Sequence, residues 1–131
     1  MDKKIVNITK ATISFVFWEI LFEIIFFMLI GFFSGLLTMI IDNETFVNII
    51  MIIPRVIVQF LVIKFAIWNT FKKQIIESYN ENKFLIIICI IYIVVTVFSI
   101  MISFNLANII GNIISLLPLL FVKKYISKYN N

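Results

Sequence analysis

The sequence is short of the residues on which soluble enzymes depend. It has no histidine, one cysteine, three glycines and two prolines, and only 14% of its 131 residues are charged. Without histidine it lacks the commonest general base and metal ligand, and a single cysteine cannot form an intramolecular disulfide. Because soluble domains are about 25% charged, these scarcities exclude a soluble enzyme and a disulfide scaffold. We predict no catalytic residue, no cofactor and no metal site.

Apolar residues are abundant instead. They make up 63% of the chain, and the mean hydropathy is +1.13. Since a membrane-spanning helix needs about 20 apolar residues, the pattern predicts four spans, at about 20–41, 46–69, 84–104 and 106–122. The preceding residues 11–19 form either an interfacial segment or the start of one long tilted helix. Short connections favour antiparallel neighbours. The predicted fold is therefore an all-α integral membrane protein, one domain over 1–131, with two antiparallel hairpins.

Basic residues indicate how these spans are oriented. Nine of the eleven Lys and Arg residues fall near the N-terminus, in the loop 71–83 or near the C-terminus. The two opposite turns carry Asp42 and Glu44 and no basic residue. The positive-inside rule then places both termini and the 71–83 loop in the cytoplasm, which predicts a multi-pass protein of the cytoplasmic (inner) membrane. Lysines beside anionic lipid heads explain the net charge of +4, so we expect membrane lipids as partners and no nucleic acid.

Arg55 is the most informative polar residue within a predicted span. It lies about nine residues into the second span, roughly 13 Å below the outer surface at 1.5 Å per residue. Gln59 follows four residues later on the same helical face, and Pro54 precedes Arg55 and can kink the helix. A guanidinium at this depth indicates either an anion site for a phosphate or carboxylate, or a structural arginine bonded to helix carbonyls.

Polar side chains form a stripe on each of the last two spans. The stripe on the third span has spacings of 4, 3 and 4, and that on the fourth has spacings of 3, 4 and 3. Their members are Tyr92, Thr96, Ser99 and Ser103, and Asn105, Asn108, Asn112 and Ser115. Hydrogen bonding between helices is the ordinary role of such residues. Because Asn108 and Asn112 lie at a depth similar to Arg55, they also predict an outward-opening polar cleft and a ligand site with Arg55 and Gln59.

Three charged residues remain near the cytoplasmic ends of the first two spans. Glu19 and Glu23 form an i, i+4 pair, and Lys64 lies at a similar depth in the second span. An ion pair between Lys64 and either glutamate would neutralise charge that is costly in hydrocarbon. Proton coupling or cation binding by the two glutamates is the alternative.

Several segments resemble the GtrA-like membrane proteins, a family of two similar hairpins with both ends cytoplasmic. An aromatic-rich lead into glycine, FEIIFFMLIGFFSG, covers residues 22–35. Polar, basic and aromatic endings follow the second and fourth spans, IKFAIWNTFKK at 63–73 and LFVKKYISKY at 120–129. The resemblance runs from about Phe22 to the C-terminus. It implies a translocase or accessory protein for polyprenyl-phosphate-linked sugars in cell-envelope glycosylation, with Arg55 at the lipid phosphate and the asparagines at sugar hydroxyls.

Two other functions fit the same sequence. The first is a non-transporting membrane partner, such as an immunity or phage-defence factor or a small subunit of a larger complex, which would bind another membrane protein through its span faces. The second is a small proton-coupled exporter working as a homo-oligomer, with a glutamate of the first span carrying the proton. Exporters of that kind are usually rich in glycine and alanine, and this chain has three glycines.

Overall fold

The computed structural model describes residues 3–130 and is almost entirely helical. Its elements are β1 (Lys4–Ile5), α1 (Ile8–Ile40), α2 (Glu44–Ile50), α3 (Ile52–Thr70), β2 (Gln74–Ile75), a 3₁₀ turn (Ser78–Asn80), α4 (Glu81–Ile102), α5 (Leu106–Ile114) and α6 (Leu119–Tyr129). Four segments of the described chain are long and apolar enough to cross a membrane: Ile8–Ile40, Glu44–Thr70, Ser78–Ile102 and Leu106–Tyr129. The prediction of an all-helical chain with four such helices is confirmed.

The first helix is continuous from Ile8 to Ile40. Asn7 begins it, because its side-chain oxygen accepts a hydrogen bond from the Lys10 amide at 2.8 Å. Its 33 residues correspond to about 50 Å of helix, well over the roughly 30 Å of a hydrocarbon core. Near its N-terminal end, Ala11 and Phe15 are fully buried against protein.

Each proline follows an interruption in the span that contains it. α2 ends at Ile50, four residues before Pro54, and α5 ends at Ile114, four residues before Pro118. A proline has no amide hydrogen to donate to the carbonyl four residues earlier, and its ring crowds that carbonyl. The second and fourth spans are therefore broken helices (α2 with α3, and α5 with α6).

Three distant parts of the chain are hydrogen-bonded together. β1 pairs in parallel with β2, and the Lys3 ammonium donates to the Tyr129 carbonyl at 2.8 Å. The buried Asn130 side chain accepts from the Ile76 amide at 2.8 Å and donates to the Ile76 carbonyl at 3.0 Å. We call residues 3–6, 73–76 and 129–130 the terminal junction.

The main hydrophobic core adjoins this junction. Phe15, Phe71 and Phe84 are fully buried at its centre, with ring centroids 6.0 Å apart for Phe15 and Phe84 and 5.4 Å apart for Phe71 and Phe84. We call the whole cluster the junction core: Val6, Ala11, Phe15, Ile63, Ala66, Ile67, Phe71, Ile76, Phe84, Ile88, Tyr92, Val122 and Ile126. A second, smaller cluster contains three buried residues, Ile30, Val47 and Met51. The polar cleft lies beside these two clusters.

Candidate functional site

A cavity of about 450 Å³ lies among α1, α3, α4 and the start of the fourth span. Its walls combine apolar side chains with the polar face of each helix, and we call it the acidic chamber. Its lining residues are Glu19, Ile20, Glu23, Ile24, Phe27, Gln59, Ile91, Tyr92, Val95, Thr96, Ser99, Asn112, Ser115 and Leu116. Two carboxyl groups line this chamber, and no Lys or Arg of the described residues does.

The glutamates are held by partners on two other helices. Tyr92 of α4, which is only 7% exposed, donates its hydroxyl to Glu19 Oε1 at 3.3 Å. Glu23 lies beside Glu19 and beside the Gln59 amide of α3. The i, i+4 spacing puts both carboxyl groups on one face of α1, and this face is turned toward the chamber.

A smaller cavity of about 200 Å³ adjoins the first and contains the predicted arginine. We call it the arginine chamber, and the two chambers together the cleft. It is lined by Phe27, Arg55, Gln59, Ser99, Asn108, Gly111, Asn112 and Ser115. Five of these residues also line the acidic chamber, so the two cavities are neighbours. No carboxylate lines the arginine chamber.

Gly111 permits the close approach of α5 to Arg55. A β-carbon at this position would lie 3.6 Å from Ile52 Cγ1 and 3.8 Å from Arg55 Nη1. Both are ordinary van der Waals distances, so alanine fits, whereas a larger side chain would enter the space beside the guanidinium. Gly111 therefore keeps the arginine chamber open.

Unpaired polar atoms distinguish the two chambers. Within residues 3–130, three buried side-chain atoms have no hydrogen-bond partner: Glu23 Oε1, Gln59 Oε1 and Arg55 Nε. The first two are acceptors: Glu23 lines the acidic chamber, and Gln59 lines both chambers at their boundary. The third is a donor in the arginine chamber. Buried polar groups normally have partners because an unmade hydrogen bond costs about 1–3 kcal/mol. The cleft thus has an acceptor end and a donor end.

The asparagines are used mainly to hold helices together. Asn108 donates to the carbonyls of Ser99 at 3.1 Å and Ser103 at 2.6 Å, which links α5 to α4. Asn112 donates to the Asn108 carbonyl and side-chain oxygen. Both residues line the arginine chamber, as the polar stripes predict, but their amide hydrogens are already engaged. The Asn108 bonds are the interhelical hydrogen bonds that such stripes ordinarily provide, whereas the Asn112 bonds lie within α5.

Lys64 is the one predicted site residue that lies away from the others. It is exposed, it lines neither chamber, and within the described chain no ion pair joins it to Glu19 or Glu23. Lys64 follows Gln59 by five residues, which is about 140° around α3. The helix that turns Gln59 toward the cleft therefore turns Lys64 away from it.

Four cleft residues are absent from the predicted site residues, which are Arg55, Gln59, Asn108, Asn112 and the three charged residues. These four are Tyr92, Thr96, Ser99 and Ser115. Their signal is present in the sequence as the two polar stripes. What the stripes do not reveal is which helix they face, because that depends on tertiary packing.

Compared with known proteins, the chain matches no family model, no curated protein and no solved structure. The GtrA-like resemblance stays a prediction.

Proposed function

We propose that this chain is a small translocase, or an accessory protein of one, that handles a polyprenyl-phosphate-linked sugar for cell-envelope glycosylation. Arg55 binds the lipid phosphate, and the cleft receives the polar head group while the lipid tail stays in the bilayer. The GtrA-like resemblance supplies the substrate class. The protein makes no covalent change to the substrate.

The observation that carries this proposal is the unpaired guanidinium of Arg55. Its Nε is buried without a hydrogen-bond partner, and within residues 3–130 no carboxylate forms an ion pair with it. Guanidinium groups bind phosphates through two parallel hydrogen bonds. An intramembrane charge normally pairs with another group or marks a substrate path, so an anionic ligand is the missing partner that the chemistry favours.

The same proposal includes the orientation in the membrane. The terminal junction joins the N-terminal segment, the 71–80 connection and the C-terminal end, and these three regions together with the first turn of α4 carry nine of the eleven basic residues. This clustering supports two antiparallel hairpins with both termini in the cytoplasm of a bacterial inner membrane. Arg55 is about 22 Å along the helix from Thr70, in the outer half of the bilayer.

Broken helices beside the cleft support transport over simple binding. Ser115 belongs to the interrupted stretch before Pro118 and lines both chambers. Transporters commonly build substrate sites where spanning helices are interrupted, because irregular backbone is tolerated in a membrane only beside protein or a water-filled cavity.

A reconstituted flux measurement tests the proposal. The full chain is placed in liposomes with a polyprenyl-phosphate-linked sugar that carries a fluorophore, and a membrane-impermeant quencher reports how much substrate changes leaflet. We expect protein-dependent flux in the wild type and a loss of about tenfold or more in Arg55→Gln, because a charge-assisted hydrogen bond contributes about 1.5–3 kcal/mol.

Lys64→Gln is the matched control, since it removes the other basic side chain of α3 from an exposed position outside the cleft. It should leave the flux within twofold of the wild type. Equal flux in Arg55→Gln and the wild type, or no flux above that of protein-free liposomes, would refute the translocase. A stoichiometric membrane partner co-purifying with a flux-inactive chain would instead favour the non-transporting role.

A further inference from the structure

The acidic chamber contains a second set of groups that the phosphate site does not use. Glu19 and Glu23 face a cavity without a basic lining residue, and the two unpaired buried atoms there are both acceptors, Glu23 Oε1 and Gln59 Oε1. While both glutamates are ionised, these acceptors cannot satisfy one another. They call for a ligand that brings hydrogen-bond donors and positive charge.

Thr96 provides an independent sign of a ligand. It is 9% exposed, lines the same chamber, and its hydroxyl makes no hydrogen bond within the described chain. A threonine in a helix commonly bonds back to the carbonyl one turn earlier, as Thr12 and Thr70 do here at 2.7 Å. Thr96 is different, and its hydroxyl remains available to the chamber.

The size of the chamber and its apolar walls limit what the ligand can be. A space of about 450 Å³ lies within the 300–1,000 Å³ range of small-molecule sites, which is more than a bare metal ion needs. Ile20, Ile24 and Val95 contribute apolar surface that suits carbon atoms. An amine on a carbon skeleton supplies both the positive charge and the donors.

The two chambers are close enough for one head group to reach both. Gln59 lines both of them and lies one helical turn, about 6 Å, from Arg55 on α3. We propose that the acceptor end of the cleft binds a primary amine, so that the cleft takes a lipid head group bearing both a phosphate and an amine. The phosphate half rests on the proposed function, and the amine half rests on Glu19, Glu23, Gln59 and Thr96.

Calorimetric titration of the full chain in a neutral detergent tests this inference with three probes. The first is dihexanoyl phosphatidylethanolamine, which carries phosphate and amine. The second is dihexanoyl phosphatidylglycerol, which carries phosphate alone, and the third is dodecylammonium, which carries amine alone. We expect the wild type to bind the first probe at least tenfold more tightly than the second, and to bind the third measurably.

Glu23→Gln keeps the size of the side chain and removes its charge. It should bring the affinities for the first two probes to within twofold of each other, weaken dodecylammonium binding at least tenfold, and leave phosphatidylglycerol binding unchanged. Thr96→Val should weaken the two amine probes by a smaller factor. Glu44→Gln, at an exposed acidic position outside the cleft, is the matched control and should change none of the three affinities.

Failure of this inference differs from failure of the phosphate site. Equal affinity of the wild type for the first two probes, or no binding of dodecylammonium, would overturn the amine site, because protons alone would then satisfy the carboxylates. The phosphate site fails separately if phosphatidylglycerol binding is absent or is unaffected by Arg55→Gln. Water-soluble O-phosphoethanolamine should bind at least tenfold more weakly than the lipid probe, and equal binding would overturn the lipid head group.

Discussion

The junction core and the cleft are built on opposite principles. In the core, aromatic and branched side chains are fully buried, and the nearby polar groups are paired, as Thr70 and Asn130 show. In the cleft, buried polar atoms of Glu23, Gln59 and Arg55 have no partner within the described chain. This contrast indicates that one region holds the fold together while the other is left incomplete. A stable core can offset the cost of such a site.

The largest change in the free energy of unfolding is expected from creating a cavity in the junction core. Phe15→Ala removes a fully buried ring that packs edge-on against Phe84, and we expect the free energy of unfolding to fall by about 3–5 kcal/mol. Unfolding by detergent titration measures it. Phe32→Ala, on the same helix but at a 70% exposed position, is the control. Equal destabilisation by both variants would mean that the core has no special role.

Breaking the terminal junction should lower the free energy of unfolding by a somewhat smaller amount. Asn130→Ala deletes a side chain that bonds twice to Ile76 and donates to Glu81 Oε1 at 2.8 Å. We expect a loss of about 2 kcal/mol, together with faster proteolysis of the 71–80 connection. Asn82→Ala, which alters an exposed asparagine, should leave both unchanged. Unaltered proteolysis in Asn130→Ala would show that the junction is not needed to hold this connection.

Removing the charge from the cleft should raise the free energy of unfolding rather than lower it. Arg55→Leu removes a partly buried charge without an ion partner, so we expect the ligand-free chain to become more stable by about 1 kcal/mol, as detergent titration would measure. Lys64→Leu, at an exposed position, should change stability by less than about 0.5 kcal/mol. A clear loss of stability in Arg55→Leu would indicate that this arginine is structural.

The smallest change in stability is expected from substituting two glycines of α1. A G-x-x-x-G spacing permits close helix packing, but a β-carbon at Gly31 or Gly35 would meet nothing within 4 Å. Gly31→Ala and Gly35→Ala should therefore shift the unfolding free energy by about 1 kcal/mol or less, in the stabilising direction, because alanine favours helix. Marked destabilisation, or a change of oligomeric state, would reveal an interface between chains at this face.

Sequence reasoning succeeds where one helix decides the outcome. Hydropathy locates the four long helices, and Pro54 locates the distortion in the second span, since a proline acts on its own helix. The sequence does not predict which residues of two different helices contact each other. Tyr92 contacts Glu19 across 73 residues, and Asn130 contacts Ile76 across 54. Neither pairing follows from periodicity, because each depends on how the helices pack.

The proposed function depends most on phosphate binding by Arg55, and one affinity measurement tests that binding directly. The full chain is titrated with farnesyl phosphate, and with farnesol to isolate the contribution of the phosphate. We expect the wild type to prefer the phosphate at least tenfold and Arg55→Gln to lose this preference. Gly111→Val should weaken phosphate binding by narrowing the chamber, while Gly111→Ala retains it. Equal binding of farnesyl phosphate by the wild type and Arg55→Gln would contradict the account.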